Sequence, residues 1–289
     1  MDEKLHYWGI DRLKLIYRRW APDLTTPHSI PIVLLHGAAS NSTRWWYFIE
    51  HSRLTRNHLL FRPDLRGHGD SIWRGYARME HWCQDLAALL AHERQSKAIL
   101  VGHCLGANLA LHFASRHPAL CAGLILIEPI DRGSVLGKLA WIKSCLPLFR
   151  IAVRITQLLN CFGLYRRHLQ TLDLRDLDRP VLEASGVERA RILVKHGSPW
   201  HDLQIMPVVQ YFGNFIELLR PLPAASVHCP CLVIQSSGQK VTDPQRTKTI
   251  LRVIERVEFI EVESEHWIPT TQPEKLCYLI DHWILSEES

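Results

Sequence analysis

The sequence predicts an α/β protein with a mostly parallel central sheet, and three observations support this prediction. Short apolar runs alternate with segments of helical periodicity, the alternation is interrupted once by a long insertion, and a glycine follows two of the apolar runs within two residues. With 289 residues and 47% hydrophobic content, the chain can bury a large core. We therefore expect one folding unit.

The strands and helices of this unit can be assigned in chain order. Residues 4–20 alternate in the manner of an antiparallel hairpin with a turn at residues 9–11. Helical periodicity predicts helices at Met79–Glu93 and Leu105–Arg116. Six apolar runs predict strands at about 30–36, 58–63, 98–103, 122–128, 231–236 and 257–262. Since ligands bind at the carboxyl ends of parallel strands, functional residues should follow these strands.

The alternation of strands and helices stops between Glu128 and Cys231. The interruption lasts roughly 95 residues, which is too long for a loop without structure of its own. We therefore predict an inserted helical cap over residues 131–227. The core is then formed by residues 1–130 together with residues 228–289.

The segment Gly102-His103-Cys104-Leu105-Gly106 has the pattern of a strained turn from a strand into a helix. Such a turn raises its central side chain above the sheet, and its glycines avoid clashes that Cβ atoms would cause. The start of a helix favours an anion, and a neighbouring imidazole favours a thiolate. The pattern therefore predicts that Cys104 is a nucleophile.

Three further motifs occur at fixed places around this turn. His36-Gly37 follows the first parallel strand, the run from Asp64 to Ser71 reads DLRGHGDS, and His266 follows the last strand. With these motifs the chain resembles the α/β-hydrolases over essentially its whole length, as a variant with cysteine in the nucleophile elbow. The resemblance implies an α/β-hydrolase fold with a cap and makes His266 the general base and acid. It also implies an oxyanion hole made by the backbone N–H groups of Ala38 and Leu105.

The residue that orients His266 is ambiguous, because Gln239 stands where the family pattern has an aspartate. Our first choice is Glu128, at the end of the strand 124–127, where haloalkane dehalogenase-like members carry their acid. Gln239 is an alternative, because an amide oxygen can also orient an imidazole. Asp243 is a second alternative, although its position before Pro244 is typical of a helix N-cap. A dehalogenase is excluded, because it needs an aspartate nucleophile and halide-binding side chains.

The predicted cap carries most of the positive charge of the chain. From Arg132 to Arg220 there are 13 Lys/Arg and 7 Asp/Glu, against a net charge of +5 for the whole protein. Residues 132–172 contain no acidic residue and many large apolar ones. This pattern fits peripheral contact with an anionic membrane or an acyl carrier, and equally a packed helix with a solvated basic face. No nucleic-acid-binding motif accompanies the charge.

The remaining features bound the cellular context. The amino-terminal residues do not read as a signal peptide, and no run approaches about 18 apolar residues, so we expect a cytoplasmic protein. The eight cysteines lack paired metal-ligand spacing, and we expect neither disulfides nor a metal or organic cofactor.

Together these features predict a cysteine-dependent hydrolase of the esterase or thioesterase type. It would cleave or transfer the acyl group of a hydrophobic small-molecule ester or thioester through an acyl intermediate on Cys104. The alternative is a non-catalytic protein of the same fold whose basic cap binds a membrane or a partner. The acyl donor, the acceptor and the oligomeric state do not follow from the sequence.

Overall fold

A twisted eight-stranded sheet forms the centre of the described part of the protein. The structure, a computed structural model, describes residues 4–10, 13–22, 29–196, 198–238 and 241–288. The strands are β1 (Lys4–Ile10), β2 (Leu13–Trp20), β3 (Ile32–Leu35), β4 (Leu60–Pro63), β5 (Ala98–His103), β6 (Cys121–Ile127), β7 (Cys231–Ser236) and β8 (Val257–Val262). All six predicted parallel strands are therefore present.

The strand order across the sheet is β1-β2-β4-β3-β5-β6-β7-β8. Strand β2 is antiparallel to β1 and β4, whereas β4, β3, β5, β6, β7 and β8 run parallel. This arrangement confirms the predicted mostly parallel sheet. The predicted turn at residues 9–11 is placed too early, because Gly9 and Ile10 still pair with Lys14 and Leu13. Asp11 lies outside the described residues.

The helices of the core cover both faces of the sheet. They are α1 (Trp46–His51), α2 (Met79–His92), α3 (Leu105–Arg116), α9 (Pro244–Leu251), α10 (Ile268–Thr271) and α11 (Pro273–Glu287). Along the fully buried strand β5, Leu100 packs in the layer with α2 and α3, whereas Ile99 and Val101 pack in the layer with α1 and α11. This division follows from the alternation of side chains along a strand. It holds the carboxyl end of β5 between two packed layers.

Five helices form the described part of the segment between β6 and β7. They are α4 (Gly137–Cys161), α5 (Leu174–Glu183), α6 (Gly186–His196), α7 (Pro199–Ile205) and α8 (Val208–Leu218). The longest, α4, packs on α8, where the ring of Phe149 lies 5.2 Å from that of Phe212 and 5.6 Å from that of Phe215. Among the helices that the structure describes, none has the length and apolar character needed to cross a membrane.

Candidate active site

Cys104 occupies the tight turn that joins β5 to α3. Its backbone has a φ of 55° and a ψ of −114°, a conformation that side-chain-bearing residues rarely adopt. The turn is held by a hydrogen bond of 2.9 Å from the Cys104 N–H to the carbonyl oxygen of Ile127, at the end of β6. The side chain therefore stands at the carboxyl edge of the sheet, at the start of a helix.

The two glycines of the motif allow this turn to pack. A Cβ atom at Gly102 would run into the backbone of Gly106. A Cβ atom at Gly106 would in turn run into the backbone of the strand β3 at Leu35 and lie 2.7 Å from the carbonyl oxygen of His36. A shift of these neighbours would disrupt the packing of the sheet and the helix, because the contacted atoms belong to the backbone.

His266 lies on the loop between β8 and α10 and contacts both Cys104 and Glu128. Its Nδ1 is 2.9 Å from Oε2 of Glu128, and its ring also shares a side-chain hydrogen bond with Cys104. Since Nδ1 faces the carboxylate, Nε2 is the ring nitrogen available to the sulfur. The residues Cys104, His266 and Glu128 are 8%, 6% and 1% exposed, so water is largely excluded from this chain of contacts.

The electrostatics of this site favour a charged imidazole. Burial lowers the pKa of His266, but the charge of the Cys104 sulfur, its hydrogen bond and the Glu128 carboxylate outweigh this effect and raise the pKa to about 10. The arrangement is suited to a thiolate–imidazolium pair with a carboxylate behind it.

Glu128 directly follows β6 and is held by the neighbouring strand β7. Its N–H donates to the carbonyl oxygen of Ile234 at 2.9 Å. Its Oε1 accepts a hydrogen bond of 2.5 Å from the backbone N–H of Ser236, at the end of β7. The hydroxyl of Thr242 lies 3.5 Å from the other carboxylate oxygen, Oε2. The carboxylate is thus fixed in the orientation in which it meets His266.

The two alternative orienting residues have different positions. Asp243 caps α9, because its Oδ1 accepts hydrogen bonds of 3.0 Å and 3.3 Å from the backbone N–H groups of Gln245 and Arg246. This is the N-cap role that its position before Pro244 suggests. Gln239 lies outside the described residues. Of the described candidates, the structure places Glu128 against His266.

The predicted oxyanion donors lie on the two segments that flank Cys104. Leu105 is the first residue of α3, so its N–H has no acceptor within the helix. Ala38 follows Gly37, and a Cβ atom at Gly37 would be 3.3 Å from the Cβ atom of Cys104, so the two segments pass very close to one another. The loop is held by His36, whose Nε2 accepts a hydrogen bond of 3.0 Å from the Leu65 N–H.

The nearby histidine His103 supports the loop of His266 rather than the sulfur. Its Nε2 lies 3.1 Å from the carbonyl oxygen of His266. Burial lowers the pKa of His103 well below its usual value, so the ring is neutral and can donate this hydrogen bond.

Comparison with known proteins identifies the family of this site. The sequence profile of the alpha/beta hydrolase family matches residues 32–277. The chain belongs to this family. It is 23% identical over 256 residues to lipase LipV of Mycobacterium tuberculosis, covering 86% of this chain and 91% of that protein. The mouse sn-1-specific diacylglycerol lipase ABHD11 is 29% identical over 268 residues, which cover 91% of this chain and 82% of that protein.

The fold comparison agrees with the family assignment. The crystal structure of the enol-lactonase from Burkholderia xenovorans LB400 superposes with a TM-score of 0.68 at 18% identity, covering 97% of this chain and 100% of that one. At this identity the likeness shows the fold alone. The predictions of an α/β-hydrolase fold and of a hydrolase enzyme are confirmed by these comparisons.

This α/β-hydrolase contains a buried network, not predicted from the sequence, that joins the inserted segment to the loop of His266. Asp178 of α5 accepts hydrogen bonds of 2.9 Å and 2.8 Å from Arg44 and one of 3.0 Å from Thr270 of α10. Arg44 also contacts Thr270 directly. Because α10 begins two residues after His266, this network fixes the end of the loop that carries the imidazole.

A cavity of about 340 Å³ lies beside the loop that carries Ala38, between the core and the inserted segment. Its lining includes Ala39, next to the predicted donor Ala38, but not Cys104. The walls combine polar and apolar side chains from both parts of the chain, among them Asn41, His68, Arg74, Leu172, Ile205 and Met206. The size is that of a small-molecule site.

Proposed function

We propose that the protein is a cysteine-dependent acyl hydrolase that acts on a hydrophobic ester or thioester. Cys104 is the nucleophile, His266 the general acid and base, and Glu128 the residue that orients His266. The backbone N–H groups of Ala38 and Leu105 form the oxyanion hole. The observation that carries this proposal is the buried chain of contacts from Cys104 through His266 to Glu128, at a strained turn before a helix.

The proposed reaction has two halves. In the first, the Cys104 thiolate attacks the acyl carbonyl carbon, and the resulting oxyanion accepts hydrogen bonds from the Ala38 and Leu105 N–H groups. The tetrahedral intermediate then expels the alcohol or thiol, which takes a proton from the His266 imidazolium. This step leaves an acyl thioester on Cys104 and a neutral imidazole.

In the second half, water replaces the leaving group. Neutral His266 takes a proton from a water molecule, and the water oxygen attacks the acyl carbon. Collapse of this second intermediate breaks the carbon–sulfur bond, releases the carboxylic acid and restores the thiolate–imidazolium pair. An alcohol or amine in place of water would give acyl transfer through the same steps, so the acceptor decides between hydrolase and acyltransferase activity.

The substrate class is proposed from two observations. Two relatives that match over most of this chain are named as lipases, which supports an ester with an apolar acyl chain. The cavity beside Ala39 offers room for the part of the substrate beyond the scissile carbonyl. A thioester is the alternative, because a cysteine nucleophile exchanges one thioester for another with little change in bond energy. We further propose that the basic segment between β6 and β7 contacts whatever presents the substrate to the enzyme, either an anionic membrane or an acyl carrier.

The test of the nucleophile uses two substitutions and a mass measurement. Cys104→Ala should abolish turnover of p-nitrophenyl esters, because no other group can form the acyl intermediate. Cys104→Ser should still form an ester adduct but turn over much more slowly, because the site is built around a thiolate. The intact wild-type protein should gain one acyl mass with a slowly hydrolysed ester. Wild-type turnover by Cys104→Ala, with matching circular dichroism, would refute the proposal.

A further inference from the structure

The outer face of α4 carries an apolar surface that no other described element covers. Of the 18 large hydrophobic side chains that are exposed in the described residues, 9 lie between Trp141 and Tyr165. Monomeric proteins rarely expose such a concentration of apolar side chains without a partner for it.

Seven of these side chains form one stripe along the helix, which we call the α4 stripe. It consists of Trp141, Leu148, Ile151, Ile155, Leu158, Leu159 and Phe162. Their spacing of mostly three, four or seven residues places them on one face of an α-helix. At a rise of about 1.5 Å per residue, the stripe is about 30 Å long. Its two ends are the most open, with Trp141 70% exposed and Phe162 73% exposed.

The stripe is distinct from the face by which α4 packs on the protein. Leu146 and Val153 are buried, and Phe149 stacks against two phenylalanines of α8. On a helical wheel these positions lie roughly opposite the α4 stripe. The helix α4 is therefore apolar on two faces, and only one of them packs on the described part of the protein.

Basic side chains border the stripe. Arg150 and Arg154 are exposed and lie one turn apart on one flank of α4, and Arg166 and Arg167 are exposed just beyond its end. Residues 132–172 contain no acidic side chain. An apolar face edged by arginines matches the interface of an anionic bilayer, where apolar side chains enter the acyl region and cations meet the headgroups.

We propose that the α4 stripe docks on an anionic membrane surface, with α4 lying in the plane of the interface. A second copy of the chain fits this face less well, because two antiparallel stripes placed face to face would bring Arg150 and Arg154 of both copies together, and residues 132–172 contain no acidic side chain that could pair with them in either orientation. Docking does not depend on the acyl chemistry, so it can be tested separately from the proposed function.

The binding test is flotation of the full chain with vesicles of phosphatidylcholine, with and without phosphatidylglycerol. Wild-type protein should float at least about tenfold better with the anionic vesicles. Binding should weaken as ionic strength rises from about 0.01 to 1 M, where the screening length falls from about 30 to 3 Å. Equal binding to neutral and anionic vesicles, without dependence on salt, would overturn the proposal.

Two double substitutions locate the surface. Ile151→Glu with Ile155→Glu, and separately Arg150→Glu with Arg154→Glu, should each weaken binding by about tenfold or more. The matched control for the apolar pair is Val253→Glu with Tyr278→Glu, which adds the same two charges at exposed apolar positions of the core. If both double variants keep wild-type flotation, the proposal is wrong.

The control for net charge and the controls for folding complete the design. Lys97→Glu with Arg252→Glu changes the net charge as much as the arginine pair does, at exposed positions of the core, and should leave most of the binding intact. All of these surface variants should hydrolyse short soluble esters at the wild-type rate. The inactive variant Cys104→Ala should still float with the vesicles, so failure of docking and failure of the acyl mechanism are distinguishable. A wild-type dimer that the Ile151→Glu, Ile155→Glu variant breaks, without any vesicle binding, would assign the face to a second copy instead.

Insertion of the stripe can also be observed directly. Brominated lipids quench tryptophans that enter the acyl region, and Trp141 is the tryptophan of the stripe. Anionic brominated vesicles should quench wild-type fluorescence and should quench Trp141→Phe measurably less. Identical quenching of the two proteins would contradict an in-plane position of α4.

Discussion

At the scale of single residues, the position of Glu128 depends on its backbone as much as on its carboxylate. Its φ of 52° lies in the left-handed region, where a residue with a side chain is strained. The strain is offset by hydrogen bonds to Ile234 and Ser236 of β7. Strained residues of this kind concentrate at functional sites, which agrees with an orienting role for this carboxylate.

Removal of the negative charge of Glu128 should therefore lower the rate of catalysis. Glu128→Gln should lower kcat by about 10²-fold or more, because a neutral amide stabilises the imidazolium far less than a carboxylate does. Asp243→Asn is the control, since Asp243 caps α9 and should leave kcat unchanged. Steady-state hydrolysis of a p-nitrophenyl ester measures both.

The same assay decides about Gln239. Gln239→Ala should cost less than Glu128→Gln, and Gln239→Asp should partly restore the Glu128→Gln enzyme by returning a carboxylate to the usual position of the family. If Gln239→Ala is the more damaging change, the amide orients the ring and our ranking is wrong.

The protonation of His266 gives a second prediction at this scale. Because the charge of the Cys104 sulfur is the largest effect that raises the pKa of His266, the imidazole should stay protonated through neutral pH and release its proton near pH 10. In Cys104→Ala this effect is absent, and the pKa of His266 should fall. NMR detection of the imidazole nitrogens across a pH series measures the change.

One internal reference, His36, makes this titration interpretable. Burial lowers the pKa of His36 to about 4, so its ring should remain neutral in both proteins over the same range. An unchanged His266 titration in Cys104→Ala would mean that the sulfur carries no charge in the resting enzyme. The thiolate–imidazolium pair would then have to be abandoned.

The sequence predicts these residues unequally, for physical reasons. Cys104 is recognisable because a strained strand-to-helix turn requires glycines at fixed local spacing. Glu128 has no such local pattern around it: it is our first choice because it ends the strand 124–127, and its contact with His266 joins residues 138 apart through the order of strands in the sheet. Ser236 and Thr242, which contact the carboxylate of Glu128, have no sequence signature.

At the scale of elements, the buried Arg44–Asp178 pair ties the inserted segment to the core. Arg44 precedes α1, Asp178 lies on α5 and Thr270 on α10, and Trp46 donates a further hydrogen bond of 3.1 Å to Asp178. Periodicity predicts the core strands from local pattern, whereas this pairing joins positions 134 residues apart and depends on how the cap helices pack. The sequence therefore defines the core elements far better than those of the insertion.

A substitution in this pair should destabilise the protein strongly. Asp178→Asn leaves the buried guanidinium of Arg44 without its carboxylate, which typically costs about 3–5 kcal/mol. Glu287→Gln breaks the exposed pair with Arg256 and should cost at most about 1 kcal/mol. Urea unfolding of the two variants compares these losses. Equal stability of the two variants would show that the buried pair does not hold α5 on the core.

At the scale of the whole molecule, the proposed function assigns the chemistry and the selection of substrate to different parts of the chain. The proposed catalytic side chains follow β5, β6 and β8 of the core. The cavity beside Ala39 takes much of its lining from residues 167–173 and from Ile205 and Met206 of the inserted segment. Changes in the insertion should therefore alter which ester is accepted without altering how it is cleaved.

This division can be tested by filling the cavity from the inserted segment. Ile205→Trp places a larger ring at the cavity wall and should raise KM for bulky or long-chain esters several-fold, while kcat for p-nitrophenyl acetate stays near the wild-type value. Val208→Trp adds the same ring three residues further on, at an exposed position that does not line the cavity. It should change neither KM for long-chain esters nor kcat for p-nitrophenyl acetate. Steady-state kinetics over a series of acyl chain lengths separates the two. A uniform loss of kcat for all esters in Ile205→Trp would instead mean that the insertion positions the catalytic residues themselves, through contacts such as that of Asp178 with Thr270.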